Sequence, residues 1–356
     1  MFGLGKVKET VGLDIGASSV KAVQLRAVRG GHELVRLGIA PLHPETIVDG
    51  VIMDSGTVIA AIQQIFTENQ IKTKDVVVAV SGHSVIVKKI KVGRMKAEEL
   101  EEQIPFEAEQ YVPYAIEDVN LDFQVLGSTS SEANEMDVLL VAVKKDIIND
   151  YLSIISTAGL EAVVVDVDAF ALQNAFEIAR EMEKDQVVGL VNLGAAVMNI
   201  NILQGGVSEF TRDSALGGYR YTESIQKMLG LSYEQAEGLK LGGQVDGRTF
   251  EDARPAIEMV NTELAGEIRR SFDFFRSSSH SDIIHRVLIS GGCARLPGLV
   301  EYLSENLEIS CEVANPLRNI KADPKKFDPE YLEVIAPQLA VSVGLALRQA
   351  GDKSHD

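Results

Sequence analysis

The sequence predicts an α/β protein of two like halves that share a cleft, with a smaller α/β unit inserted in the first half. Three observations carry that reading. A strand-turn-strand form near residue 16 returns near residue 194, a glycine pair follows a later strand, and residues 93–165 have a pattern of their own.

The first element is "VGLDIGASSVKAVQL", residues 11–25. Its Gly, Ser and Lys admit two readings, a phosphate cradle or a plain hairpin turn. A Walker-type loop must open a helix, so that the helix N-terminus faces phosphate. Here Val20, Ala22, Val23 and Leu25 follow at once as a strand, which makes the stretch strand, tight turn, strand. A third strand over about 33–39, a helix over about 57–69 and the run "DVVVAVSG" continue the α/β layering to residue 92.

The inserted unit, 93–165, opens with the acidic helical stretch "MKAEELEEQIPFEAEQYV", in which Pro105 is expected to break or restart the helix. It continues through a strand "VNLDFQVLG", a polar turn "STSSEANEMD", a strand "VLLVAVKK", a helix to about 158 and a strand "EAVVVDV". Phe106, Tyr111, Tyr114 and Phe123 suit either its core or a peptide groove. Lys88, Lys89, Lys91, Arg94 and Lys96 make a basic cluster, fit for a solvated strand face or for an acidic partner or lipid.

The echo is "VVGLVNLGAAVMNINILQGG", where Gly194 matches Gly16 and Asn192 matches Asp14. Duplication explains it, with coincidental hairpins as the alternative. "LSYEQAEGLKLGG" then reads as a helix with a Ser232/Gln235 capping box, ending at Gly242 and Gly243. It places Glu237 and Lys240 on one face, where a plain ion pair is one reading. Finally "VLISGGCARLPGLVEYL" runs from a strand through Gly291 and Gly292 into a helix led by Pro297; a glycine pair there lets backbone approach a ligand.

Bulk properties limit the function. A chain of 356 residues with formal net charge −18 disfavours nonspecific nucleic-acid binding and adhesion to anionic lipid. No apolar run approaches a membrane span and no signal-peptide layout is present, so a cytoplasmic protein is expected. Cys293 and Cys311 lack metal-ligand spacing and read as free thiols in core or turn positions.

Taken in order, these motifs resemble the actin/heat-shock-chaperone/sugar-kinase ATPase superfamily over nearly the whole chain. The resemblance implies an actin-like, ribonuclease H-like two-domain fold closing on ATP or ADP with Mg2+. It divides the chain into 1–92 (1A), 93–165 (an FtsA-type 1C subdomain), 166–188 (return to 1A), 189–335 (2A, with 2B at about 219–283) and 336–356 (a helix on 1A and a polar tail). It makes Gly16, Ala17, Ser18, Ser19 and Lys21 the first phosphate turn, and Gly194, Ala195 and Ala196 the second. Asp14 and Asp168 are implied near magnesium through water, Asp168 also orienting the attacking water, with Asp166 as its competitor. Glu237, Lys240, Gly291, Gly292, Arg295 and Gly298 are implied at adenosine. Asn192 departs from the pattern, which has Asp there; an amide is neither a base nor a full charge, so weak or no ATPase activity is expected.

Within that superfamily, "IPFEAEQYVPYAIEDVNLDFQVLG" and "VVVDVDAFALQNAFE" are similar to the PilM family of type IV pilus assembly proteins. That implies an adaptor peripheral to the inner membrane, binding the N-terminal cytoplasmic tail of a single-span PilN-like partner beside the inserted unit and communicating with pilus motor ATPases. An FtsA-like filament-forming adaptor and a small-molecule kinase are the alternatives. The first carries a basic amphipathic membrane helix, whereas this chain closes on "LAVSVGLALRQAGDKSHD".

Overall fold

The computed structural model describes residues 9–48, 50–127, 134–179, 185–278, 283–349 and 351. Each half is organised around a sheet. The first has the strand order Glu161–Val167, Asp75–Val80, Val11–Ile15, Ser19–Val28, Gly31–Pro41, Ile320–Lys321; the second has Val207–Ser214, Met198–Gln204, Val187–Leu193, Arg286–Ser290, Cys311–Val313.

The echo survives as register. Val11–Ile15 pairs antiparallel with Ser19–Val28 and parallel with Asp75–Val80, just as Val187–Leu193 pairs antiparallel with Met198–Gln204 and parallel with Arg286–Ser290. Asp14 faces Lys21 in the first hairpin, and Asn192 faces Asn199 in the second. Central strands such as Asp75–Val80 and Val187–Leu193 are buried along their whole length, because helices cover both faces.

In the first half, Ser55–Glu68 and Lys145–Thr157 cover one face, with Ile62, Ile65, Tyr151 and Ile155 packed on Val11, Val76 and Val78. Asp168–Ala179 and Ala340–Ala346 take the other face. The latter helix lies directly on backbone: a Cβ on Gly12 would stand 2.1 Å from the Ser342 carbonyl oxygen, and one on Gly344 1.7 Å from that of Ala171. In the second half the long helix Phe250–Ser278 and the helix Gly218–Leu229 bury Tyr221, Phe272 and Phe275 against the sheet.

The inserted sheet has the order Val85–Gly93, Glu135–Lys144, Val119–Gly127, under the helix Ala97–Ala108. It begins at Val85, ahead of residue 93, and two elements expected inside it belong elsewhere. Glu161–Val167 pairs parallel with Asp75–Val80, and Lys145–Thr157 packs in the first core. The physical reason is that "DVVVAV", apolar on both faces, offers two edges; Val11–Ile15 fills one and Glu161–Val167 the other.

The helix Ala97–Ala108 also runs through Pro105 instead of breaking there. Pro105 falls in its last turn, where the lost N–H would have served the carbonyl of exposed Glu101, which water can reach. Tyr111, Tyr114 and Phe123 pack on the inserted core, while Phe106 is 65% exposed. Part of the expected polar turn (128–133), residues 180–184 and most of the polar tail lie outside the described residues.

Candidate functional site

The two hairpin turns face each other across a cleft of about 610 Å³ between the halves. On the first wall the Gly16 N–H donates to the Ser19 carbonyl at 3.1 Å, closing the turn, and Leu42 N–H fixes Ser18 at 2.8 Å. Gly16, Ala17, Ser18 and Ser19 all line the cleft. Register places Lys21 opposite Asp14, and Lys21 Nζ sits 3.0 Å from Asp14 Oδ2 with the two side chains 10% and 15% exposed.

Asp168 opens the helix Asp168–Ala179 directly after the edge strand Glu161–Val167 and lies on the cleft wall. Burial, then repulsion from Asp14, pushes its carboxyl up to about 7, against a hydrogen bond from Ser81 and the charge of Lys21. Asp166 is not on that wall: its Oδ2 lies 3.5 Å from Arg348 Nε, on the side of the C-terminal helix.

On the second wall the Gly194 N–H donates to the Val197 carbonyl at 3.0 Å. The carbonyls of Gly194 and Ala195 in turn accept from Gly218 and Tyr219 at 2.9 and 2.8 Å, so this turn is fused to the start of the helix Gly218–Leu229. Gly194, Ala195, Ala196 and Asn192 line the cleft. Asn192 is fully oriented: its Nδ2 donates to Asn199 Oδ1 at 3.0 Å, and its Oδ1 accepts from Ser290 Oγ at 3.2 Å.

A third cluster comes from the helix Tyr233–Lys240, whose Ser232/Gln235 capping box forms as the sequence predicts. Lys240 Nζ lies 2.6 Å from Glu237 Oε2 and also donates to Thr222 Oγ1 and the Gly218 carbonyl, while Thr222 donates to Glu237 at 2.5 Å. Lys240 is buried, so this is no solvated ion pair. Gly291, Gly292 and Arg295 complete the wall. Gly291 has φ +88°, and a Cβ there would stand 2.3 Å from the Leu193 carbonyl oxygen. Gly298 is not brought to the wall; at φ +76° it caps the helix Leu299–Leu307, which starts after Pro297 and not at it.

The sequence model of the family described as type IV pilus assembly protein PilM matches residues 12–350. The chain belongs to the PilM family. A solved structure described as the PilM-PilN type IV pilus biogenesis complex is similar to it with 32% identity and a TM-score of 0.86, over 96% of this chain and 98% of that one. Cell division protein FtsA of Bacillus subtilis is 23% identical over 94% of this chain and 82% of its own length. MreB5 of Spiroplasma citri, in a structure bound to ADP, is 13% identical with a TM-score of 0.53 over 95% of each chain, a likeness of fold alone. The PilM-family chain thus has the actin-like fold. Among its described residues no helix is long and apolar enough to cross a membrane.

Sequence reasoning missed several residues that line this PilM-family cleft. Asn199 holds the place in the second hairpin that Lys21 holds in the first, so carrying the echo seven residues further would have found it. Tyr219 donates from the second half to the Ala17 carbonyl of the first turn at 2.9 Å and meets the Tyr233 ring edge-on at 6.3 Å. No sequence signal marks it. Cys293, expected as a core or turn residue, lines the cleft near the Gly194 carbonyl, and burial pushes its thiol up. In the basic cluster, Lys89 is already engaged by Glu209 at 2.7 Å and Asp137 at 3.2 Å, and Lys88 lies over the Tyr111 ring.

Proposed function

We propose that this PilM-family protein is an ATP-binding adaptor of the type IV pilus inner-membrane platform. It holds the N-terminal cytoplasmic tail of a single-span PilN-like partner, stands at the cytoplasmic face of the inner membrane through such partners, and links them to the pilus motor ATPases. The observation that carries the adaptor reading is the likeness to the PilM-PilN complex over 96% of the chain at TM-score 0.86.

The cleft residues fit a magnesium nucleotide. A Cβ on Gly194 would stand 2.8 Å from the Val197 carbonyl oxygen, so position 194 admits no side chain, and with only methyl groups at Ala195 and Ala196 the turn offers its backbone to phosphate. Lys21 supplies positive charge at the first turn, and Gly16, Ala17, Ser18 and Ser19 supply the loop around it. Glu237 and Lys240 suit ribose and adenine, between the Gly291–Gly292 turn and the Arg295 guanidinium. The Asp14 charge raises the cost of ionising Asp168, an excess of negative charge that a hydrated divalent cation relieves. Bound magnesium would offset phosphate charge there.

The chain's own groups are better arranged to hold than to hydrolyse. Asn192 has no base to offer, and its carbonyl oxygen is already taken by Ser290. Asp168, with its carboxyl pushed up to about 7, is only partly ionised near neutral pH in the absence of a cation. ATP therefore acts mainly by closing the halves, and closing orders the surface that the partner reads, so each ligand strengthens the other.

Calorimetric titration with magnesium ATP tests this reading in the intact chain and in Lys21→Ala. One-to-one saturable binding is expected, weakened at least about ten-fold by the substitution, which removes a charge-assisted contact. Equal affinity in the two proteins would mean that nucleotide binds elsewhere.

A further inference from the structure

Four polar side chains form one row across the second sheet. Ser290, Asn192, Asn199 and Asp213 are direct cross-strand neighbours on four adjacent strands. Their hydrogen bonds run in a single direction: Ser290 Oγ to Asn192 Oδ1, Asn192 Nδ2 to Asn199 Oδ1, and Asn199 Nδ2 to Asp213 Oδ1 at 2.9 Å. The row does not stop at the sheet edge. The Gly82 N–H, in the first half, donates to Asp213 Oδ2 at 2.6 Å.

The direction has a cause. An ionised carboxylate accepts and never donates, whereas an amide can present either end. Asp213 therefore draws the Asn199 amino group toward itself, which turns the Asn199 oxygen toward Asn192, which in turn gives Asn192 its donating orientation. Burial pushes the Asp213 carboxyl up, while the bonds from Asn199 and Gly82 and the charge of His83 pull it back. At the other end, Asn192 lies on the cleft wall, and its second amide hydrogen has no protein partner among the described residues.

Gly82 stands at the root of the inserted sheet. It follows the strand Asp75–Val80, and its carbonyl accepts from Val85, the first residue of the strand Val85–Gly93. The same edge strand, Val207–Ser214, touches that sheet again where Glu209 binds Lys89 at 2.7 Å.

We infer that Asp213 is a positioning residue that orients the Asn192 amide in the second turn and ties that turn to the root of the inserted sheet, so that filling the cleft is felt at residues 82–93. The inference rests on the nucleotide reading of the cleft. It adds the route by which an occupied cleft reaches the inserted unit, through one carboxylate and two amides.

Hydrogen–deuterium exchange of the full-length protein, with and without magnesium ATP, tests it. In the parent protein, ATP slows exchange at both turns and, about ten-fold, across residues 82–93. Asp213→Asn replaces one acceptor by a donor, which must face either the Gly82 N–H or the Asn199 amino group, so one link breaks whichever way it turns. ATP then still protects the turns but no longer slows 82–93. Asn199→Ala cuts the row upstream and leaves the Gly82–Asp213 bond in place, and the same loss is expected. A variant whose turns are protected and whose 82–93 segment responds as in the parent protein overturns the inference. Absence of protection at both turns in the parent protein overturns the nucleotide reading instead, and the inference with it.

Discussion

The Tyr219 hydroxyl donates to the Ala17 carbonyl at 2.9 Å, joining the start of a helix in the second half to the first turn across the cleft. Such a bond exists only while the halves are closed. Tyr219→Phe keeps the ring and its contact with Tyr233 but removes the donor. A single hydrogen bond is worth about 0.5–1.5 kcal/mol, so ATP affinity should fall roughly two- to ten-fold, chiefly through faster release. Stopped-flow displacement of a fluorescent ATP analogue checks this; unchanged release would show that closure does not depend on the bond.

Asn192→Asp carries two opposed effects. The new carboxylate supplies the charge that the second turn lacks, and phosphate release from ATP should rise by about ten-fold or more. It also meets the Asn199 oxygen, held toward it by Asp213, acceptor against acceptor in a buried row. Thermal stability should therefore drop by about 1–3 kcal/mol. Raised stability, or release no faster than in the parent protein, would contradict the reading of this position.

Gly291 and Gly292 are adjacent yet differ in what they tolerate. Alanine at 291 would need φ +88° and would set its methyl 2.3 Å from the Leu193 carbonyl oxygen, between strands that cannot part. A loss of about 2 kcal/mol or more is expected in calorimetric melting of Gly291→Ala. At 292 no atom lies within 4 Å of the added methyl, so Gly292→Ala should fold like the parent protein. Its methyl would enter the cleft wall, and ATP affinity should fall. Equal stability of the two variants would sink the account of this turn.

Asp168 gives a pH dependence in metal-free buffer. Its carboxyl rises from 3.8 to about 7 on folding, first through burial and then through Asp14. Between those values the native state keeps a proton that the unfolded chain has lost, so stability falls as pH rises through that window. Asp168→Asn should melt with a shallower fall between about pH 4 and about pH 7. Thermal melts across that range, in chelator, measure it; identical slopes would show that the carboxyl is not strained by its surroundings.

The duplicated hairpins were legible because a strand-turn-strand unit leaves a dense local signature: apolar strands, one glycine, two small residues, then apolar alternation. That signature alone matched Asn192 to Asp14, whereas the site roles of Asp14 and Lys21 followed from the resemblance to the ATPase superfamily. What stayed hidden depends on long-range pairing. "VIVKKIKVG" reads as a strand but does not say which sheet it joins, and the inserted unit consequently starts at Val85. Asp213 looks like a solvated charge on an edge strand until Asn199 and Gly82 are seen to donate to it. Gly298 has the sequence neighbourhood of the cleft glycines, but its positive φ starts a helix. Tyr219 sits at the start of an ordinary amphipathic helix, and only the approach of the two halves gives its hydroxyl a partner.

The most direct measurement is a calorimetric titration of the intact protein, nucleotide-free and loaded with magnesium ATP, with the N-terminal cytoplasmic peptide of its own organism's single-span pilus partner. Saturable one-to-one binding, tighter in the ATP-loaded protein, is expected. No binding by folded, ATP-loaded protein would contradict the adaptor function, and equal affinity in both states would contradict the coupling between cleft and partner.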